Sequence, residues 1–145
     1  MRAAVIDNST GEIMRIGNRA SLQAIPRKTV TVRFEEYDTE YRLREMSGTD
    51  RDKFEVAAFK EDAEGVRHVQ PLYLRARMVA LCLVDENNVR LYADDEIEQL
   101  SDEIPASVIA VLFVAAQKLN GLGTDAVEAA AKNSESAPAG ASASA

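Results

Sequence analysis

The hydrophobic period of this chain changes at residue 47, and the change falls on a helix-start signal. Over Thr29-Val-Thr-Val-Arg-Phe34, the apolar residues Val30, Val32 and Phe34 alternate with Thr31 and Arg33. Successive strand side chains point to opposite faces, so this alternation predicts a half-buried strand. Tyr41-Arg-Leu-Arg-Glu-Met46 alternates in the same way, and the polar residues 35–40 supply the turn of an antiparallel hairpin. At Ser47-Gly-Thr-Asp50 a hydroxyl is followed three residues later by an acid. That is a capping box with Asp where Glu or Gln is more usual. A chain that passes from period two to helical period in this way is expected to fold as α+β.

The rest of the expected architecture is helical. A helix over 48–60 would bury Phe54, Ala57 and Ala58. Residues 61–70 are polar, contain Gly65 and are read as a loop. Pro71 suits the first turn of a helix. In that helix Leu74, Met78, Leu81 and Cys82 stand at i, i+4, i+7 and i+8, a single apolar stripe. Residues 85–88 are turn-forming, and 89–92 form a short extended piece. Asp94 or Asp95 can cap a helix running through Leu100, with Glu96 well placed against its dipole. Pro105 opens the last helix, which Asn120-Gly121 closes. The domain is thus a β-hairpin region over 29–46 followed by three or four helices between 48 and 121, within bounds of 29–122. Residues 1–28 form an N-terminal extension. Asn8-Ser-Thr-Gly11 provides the turn of a small hairpin there, and a helical turn over 21–25 is stopped by Pro26. Residues 123–145 carry almost no large apolar group and are expected to be a disordered tail or linker.

Composition narrows the function. The chain has 145 residues and a formal net charge of −7. Nucleic-acid binding needs clustered Lys and Arg, and docking on an anionic membrane needs the same, so both are disfavoured. The N-terminus reaches Asp7 too soon for a signal peptide. The longest nearly apolar run, 105–116, is shorter than the roughly 20 residues that span a bilayer. A soluble, cytoplasmic protein is expected. The single cysteine rules out an intramolecular disulfide.

No catalytic set is visible, and no enzyme activity, cofactor or metal is expected. His68 lies in a polar stretch without an evident orienting partner. Cys82 lies on an apolar helical stripe, where a thiol packs rather than reacts. Asp85, Glu86, Asp94, Asp95 and Glu96 do not make a calcium loop, because Val89, Leu91 and Tyr92 interrupt it and the central glycine is missing. The helix after Pro105 is apolar nearly all round. Val108, Val111, Leu112, Ala115 and Leu119 make one stripe, and Ile109, Phe113 and Ala116 make a second. A central core helix is one reading. Contact of Ile109 and Phe113 with a partner, or with another copy of the chain, is the other.

Several segments together resemble a family of tail assembly chaperones from long-tailed bacteriophages. They are Val30-Thr-Val32, Leu43-Arg-Glu-Met-Ser-Gly-Thr-Asp-Arg-Asp-Lys-Phe54, Leu83-Val-Asp-Glu-Asn-Asn-Val-Arg-Leu-Tyr92, Asp94-Asp-Glu-Ile97 and Leu119-Asn-Gly121. Their order and spacing carry the resemblance, which covers residues 28–122. In the acidic turn, Asn88 stands where the family usually has glycine. The resemblance implies a protein that binds the long tape measure protein, and in some settings the tail tube protein, during assembly. Such a protein acts in the host cytoplasm and is not retained in the mature particle. A structural tail or connector subunit that stays in the particle is the alternative.

Overall fold

The structure, a computed structural model, describes residues 14–122. The turn expected at Asn8–Gly11 and the tail over 123–145 lie outside the described residues. The fold is α+β, as the change of period predicts. Its elements are α1 (Arg19–Gln23), β1 (Thr29–Phe34), β2 (Thr39–Arg44), α2 (Gly48–Ala58), β3 (Phe59–Glu61), β4 (Arg67–Val69), α3 (Leu74–Cys82), β5 (Leu83–Val84), α4 (Ile97–Glu103) and α5 (Ala106–Leu119).

Strands β1 and β2 pair antiparallel with Val30 opposite Leu43 and Val32 opposite Tyr41. The alternation therefore sorts the side chains by face. Leu43 is fully buried, and Val32, Phe34 and Tyr41 pack against the same core. Strand β5 adds to the other side of β2 through Leu43 opposite Leu83, so the sheet order is β1-β2-β5. On the outer face, Arg42 donates to the Glu86 carbonyl and the Asn88 side chain, and Arg44 donates to the Asn88 carbonyl. These bonds tie the turn after β5 across the sheet.

The central element is α3, not the more apolar helix after Pro105. Six of the nine α3 residues are buried: Ala76, Met78, Val79, Ala80, Leu81 and Cys82. Helices α2, α4 and α5 and strand β2 surround it. The small side chains of Ala76 and Ala80 let neighbouring helices approach, while Met78, Val79 and Leu81 fill the space between them. Helix α3 also begins later than Pro71. The Leu74 N–H donates to the Pro71 carbonyl, and Tyr73 takes left-handed backbone angles (φ 65°). Pro71 therefore opens a tight turn that aims the helix.

The polar stretch 61–70 is not a loop. Strands β3 and β4 form a second antiparallel hairpin, with Phe59 opposite Val69 and Glu61 opposite Arg67. Helix α2 accordingly stops at Ala58, two residues before the expected end. The turn is built by Asp62, whose carboxylate accepts from Glu64 N–H and Val66 N–H, while Gly65 takes φ 82°. The turn after β5 repeats this arrangement. Asp85 accepts from Asn87 N–H and Val89 N–H, and Asn88 takes φ 65°. Both are tight turns closed by a left-handed residue, the geometry that glycine or asparagine tolerates best.

Specific bonds close the start of α2 and the end of α5. Ser47 Oγ accepts from Asp50 N–H, and the Asp50 carboxylate accepts from Ser47 N–H, completing the expected capping box. Before α4, a 3-10 turn over Asp94–Glu96 is closed by Ala93 N–H donating to the Glu96 carboxylate; α4 itself starts at Ile97 without a side-chain cap, so neither Asp94 nor Asp95 caps it. At the end of α5, Leu122 N–H donates to the Gln117 carbonyl and Gly121 N–H to the Lys118 carbonyl, with Gly121 at φ 70°. This is a Schellman stop. The residue before that glycine, Asn120, joins three elements. Its Oδ1 accepts from Met46 N–H at 2.8 Å, and its Nδ2 donates to the Ala116 carbonyl at 2.8 Å and to Cys82 Sγ at 3.4 Å. Arg51 closes the set by donating to the Asn120 carbonyl.

Replacing Asn120 with alanine would strand the Met46 N–H and loosen the ends of β2, α3 and α5 together. Asn120→Ala should cost about 1–3 kcal/mol, the usual cost of leaving a partly buried donor unpaired. Urea unfolding measures it, and an unchanged midpoint would contradict the role given to this side chain.

Candidate protein-interaction surface

Helix α5 shows how the apolar surface divides between core and exterior. Its inward face carries Ile109, Leu112, Phe113 and Ala116, all buried. Ile109 is 7% exposed and Phe113 is 8% exposed, and the Arg75 guanidinium of α3 lies 5.7 Å from the Phe113 ring centre. In the single chain both residues pack toward α3, because α3 is the element around which the other helices are arranged. The apolar side chains that α5 turns outward are Val111 and Val114, 48% and 40% exposed.

Beside α5 the body opens into an apolar cleft of about 160 Å³, with Tyr41, Leu91, Tyr92, Ile104 and Val108 among its lining residues. These five residues come from four separate segments. Tyr41 comes from β2. Leu91 and Tyr92 are brought in by the turn after β5, which returns through the Val84–Arg90 bridge and the bond from Leu91 N–H to the Leu83 carbonyl. Ile104 ends α4, and Val108 lies in the first turn of α5. Leu91 is exposed at the rim. Ile109 lies in the floor and also lines a second concavity of about 400 Å³ with Tyr73, Leu74 and Ala106. Sequence reasoning did not single out Leu91, Tyr92 or Ile104. No periodic pattern links positions that only the fold brings together.

The outer face of α4 is strongly acidic. Asp95, Glu98, Asp102 and Glu103 line one shallow surface. Among the described residues none of these four takes part in an ion pair; the acids that do are Asp50, Glu55, Asp62 and Asp94. The Tyr73 hydroxyl stands beside this surface. Its pKa is raised, first by desolvation and then by the charges of Glu98 and Asp102.

The residues considered for chemistry have structural partners. His68 lies on β4 and does have an oriented neighbour, with Nε2 2.8 Å from Asp62 Oδ2. That bond and the backbone donors of the turn hold the Asp62 carboxyl below its usual range. Asp94 is lowered by its bond to Arg90, with Lys53 contributing less. Arg90 in turn donates to the Ala80 carbonyl near the end of α3, a favourable place for a cation. Among the described residues no group of three or more His, Cys, Asp or Glu side chains is placed to hold a metal ion. No described helix is long and apolar enough to cross a membrane.

No family model matches the chain, and no curated protein matches it. A solved structure does. The fold is similar to that of the bacteriophage HK97 tail assembly chaperone. The TM-score is 0.50 at 20% sequence identity, over 64% of this chain and 85% of that one. At this identity the likeness concerns the fold, which is the one that the resemblance of residues 28–122 implies.

Cys82 is fully buried, and desolvation pushes its thiol up to about 11 against a smaller opposing effect of the Asn120 amide. A disulfide reagent at mildly alkaline pH should leave the folded protein unmodified and label it fully in denaturant. Rapid labelling of the folded protein would contradict a packing role.

Proposed function

We propose that this protein is a tail assembly chaperone of a long-tailed bacteriophage. In this reading it binds the tape measure protein, keeps it soluble in the host cytoplasm and leaves before the particle is complete. The main support is the fold shared with the HK97 tail assembly chaperone over most of that protein's length. The surface is consistent with such work. Its cleft is apolar, with Leu91 exposed at the rim and Tyr41, Tyr92, Ile104 and Val108 half-buried. Such a surface can cover apolar stripes of a helical client, as in helix-in-groove recognition. Each Leu or Ile buried in this way contributes about 1.5–3 kcal/mol, so a few contacts suffice for useful affinity. The net charge of −7 limits non-specific aggregation of the chaperone. The reading requires neither nucleotide nor metal.

Co-expression with the tape measure protein of the same phage tests this function. The expected result is a larger soluble fraction of the client and its co-purification with the chaperone, together with absence of the chaperone from purified virions by mass spectrometry. No gain in client solubility and no co-purification would refute the proposal. Stoichiometric presence in virions would favour a structural tail subunit.

A further inference from the structure

The apolar cleft beside α5 is small enough for its size to limit what fills it. Its volume is about 160 Å³. An apolar cavity of roughly 150 Å³ takes one benzene ring. The cleft therefore admits one ring-sized side chain and leaves no room for several. Its buried lining is aliphatic and includes Val79, Leu83, Leu100 and Leu112. Tyr41 and Tyr92 add two half-buried rings to the wall. The Tyr41 ring already stands edge-on to Phe34, with centres 5.8 Å apart and planes at 72°. A further ring in the cleft extends this packing, because aromatic rings favour edge and offset contacts.

The surface around the cleft is acidic on two sides. One side is α4. Leu100 and Ile104 line the cleft, and Glu103, next to Ile104 in the chain, lies with Asp95, Glu98 and Asp102 on the outer surface of the same helix. The other side is a concavity of about 320 Å³ that shares Tyr41 and Leu91 with the cleft and is also lined by Glu40, Asp85 and Glu86. Among the described residues none of these acids takes part in an ion pair. The one cation lining either side is Arg42, and its guanidinium is held by the Glu86 carbonyl and the Asn88 side chain. An apolar hollow the size of one ring thus lies between two flanks that favour positive charge.

We propose that the cleft is a socket for one phenylalanine-sized aromatic side chain, carried on a helix that places Lys or Arg one turn to either side of it. On the proposed chaperone function, on which this rests, that helix is a segment of the client, and the socket selects which segments are held. Residues one turn apart share a helix face, so the ring enters the cleft while the two cations meet the flanks at Glu86 and Glu103. Selection works in both directions. A segment with the ring but acidic neighbours is repelled by the flanks. A basic segment without the ring gains nothing from the apolar lining.

Amide NMR titration of the full chain with synthetic helical peptides tests the socket. The probe is a peptide of alanine and glutamine with one Phe and a Lys one turn to each side. The expected result is saturable shifts at Leu91, Tyr92, Ile104 and Val108. Exchanging the Phe for Ala, or both Lys for Glu, should each weaken binding about tenfold or more, and high salt should shrink the second effect. Val108→Trp fills the socket and should abolish binding. Glu86→Lys with Glu103→Lys, both exposed, should leave the melting temperature unchanged and reverse the preference, so that the Glu peptide binds better than the Lys peptide. This second variant keeps the test independent of any damage that Val108→Trp does to folding. No saturable shift at these positions, equal binding of the Ala peptide, or a preference that charge reversal leaves unaltered overturns the proposal. So do the same shifts on raising the protein concentration without peptide, because another copy of the chain would then fill the cleft. The peptides contain no tape measure sequence, so a negative result leaves the proposed function standing, and co-expression reads that function separately.

Discussion

The fold depends on burying α3 from four directions at once. Helices α2, α4 and α5 and strand β2 all close on this one helix of nine residues. Nine residues are too few to hold a helix in water by themselves. The order of α3 therefore comes from its surroundings, and its two ends must be fixed by other parts of the chain. At the start, Tyr73 adopts a left-handed conformation that costs energy for a bulky residue and is held by the turn from Pro71. At the end, Arg90 binds the Ala80 carbonyl, and Asn120 joins Cys82 to Met46. Elements 74 residues apart in sequence are thus linked by one amide side chain.

This dependence explains which parts of the structure were legible in the sequence. Strand β1 runs from Thr29 to Phe34, as its alternation predicts, and α2 starts where the Ser47–Asp50 box places it. Asn120-Gly121 ends α5 as expected, because that stop is local chemistry. The identity of the central helix was not legible. Arg75 and Arg77 dilute the apolar character of α3, whereas α5 is nearly uninterrupted, so composition ranks α5 first. Which of two apolar helices is surrounded is a property of the assembled body. The hairpin of β3 and β4 was missed for a different reason. Its strands have three residues each, too few to show a period, and its residues are mostly polar. A signal was present in the turn. Asp62-Ala-Glu-Gly-Val66 has the same plan as Asp85-Glu-Asn-Asn-Val89, with an acid at the first position and a left-handed residue at the fourth.

The same arrangement sets what the surface can do. Ile109 and Phe113 are largely buried and help to hold the body together, while Ile109 also lines the floor of the cleft. The apolar side chains left outside include those of two places, the segment before the sheet with Leu22 and Ile25 and the cleft rim at Leu91, while others such as Val56, Leu72 and Val111 stand apart. Neither place brings together a nucleophile and a base, and both suit broad, shallow contact. The left-handed Asn88 fits the resemblance as well, because a turn of this geometry is where glycine is commonly found.

The proposed function requires that a body organised around α3 cover a client with apolar surface already exposed. Hydrogen-exchange mass spectrometry of the chain, alone and bound to the tape measure protein, tests it most directly. The account predicts that α3 exchanges slowly in both states and that binding adds protection at residues 14–25, 91–92 and 104–111. Faster exchange in α3 on binding, or new protection confined to the 59–69 hairpin, would contradict it.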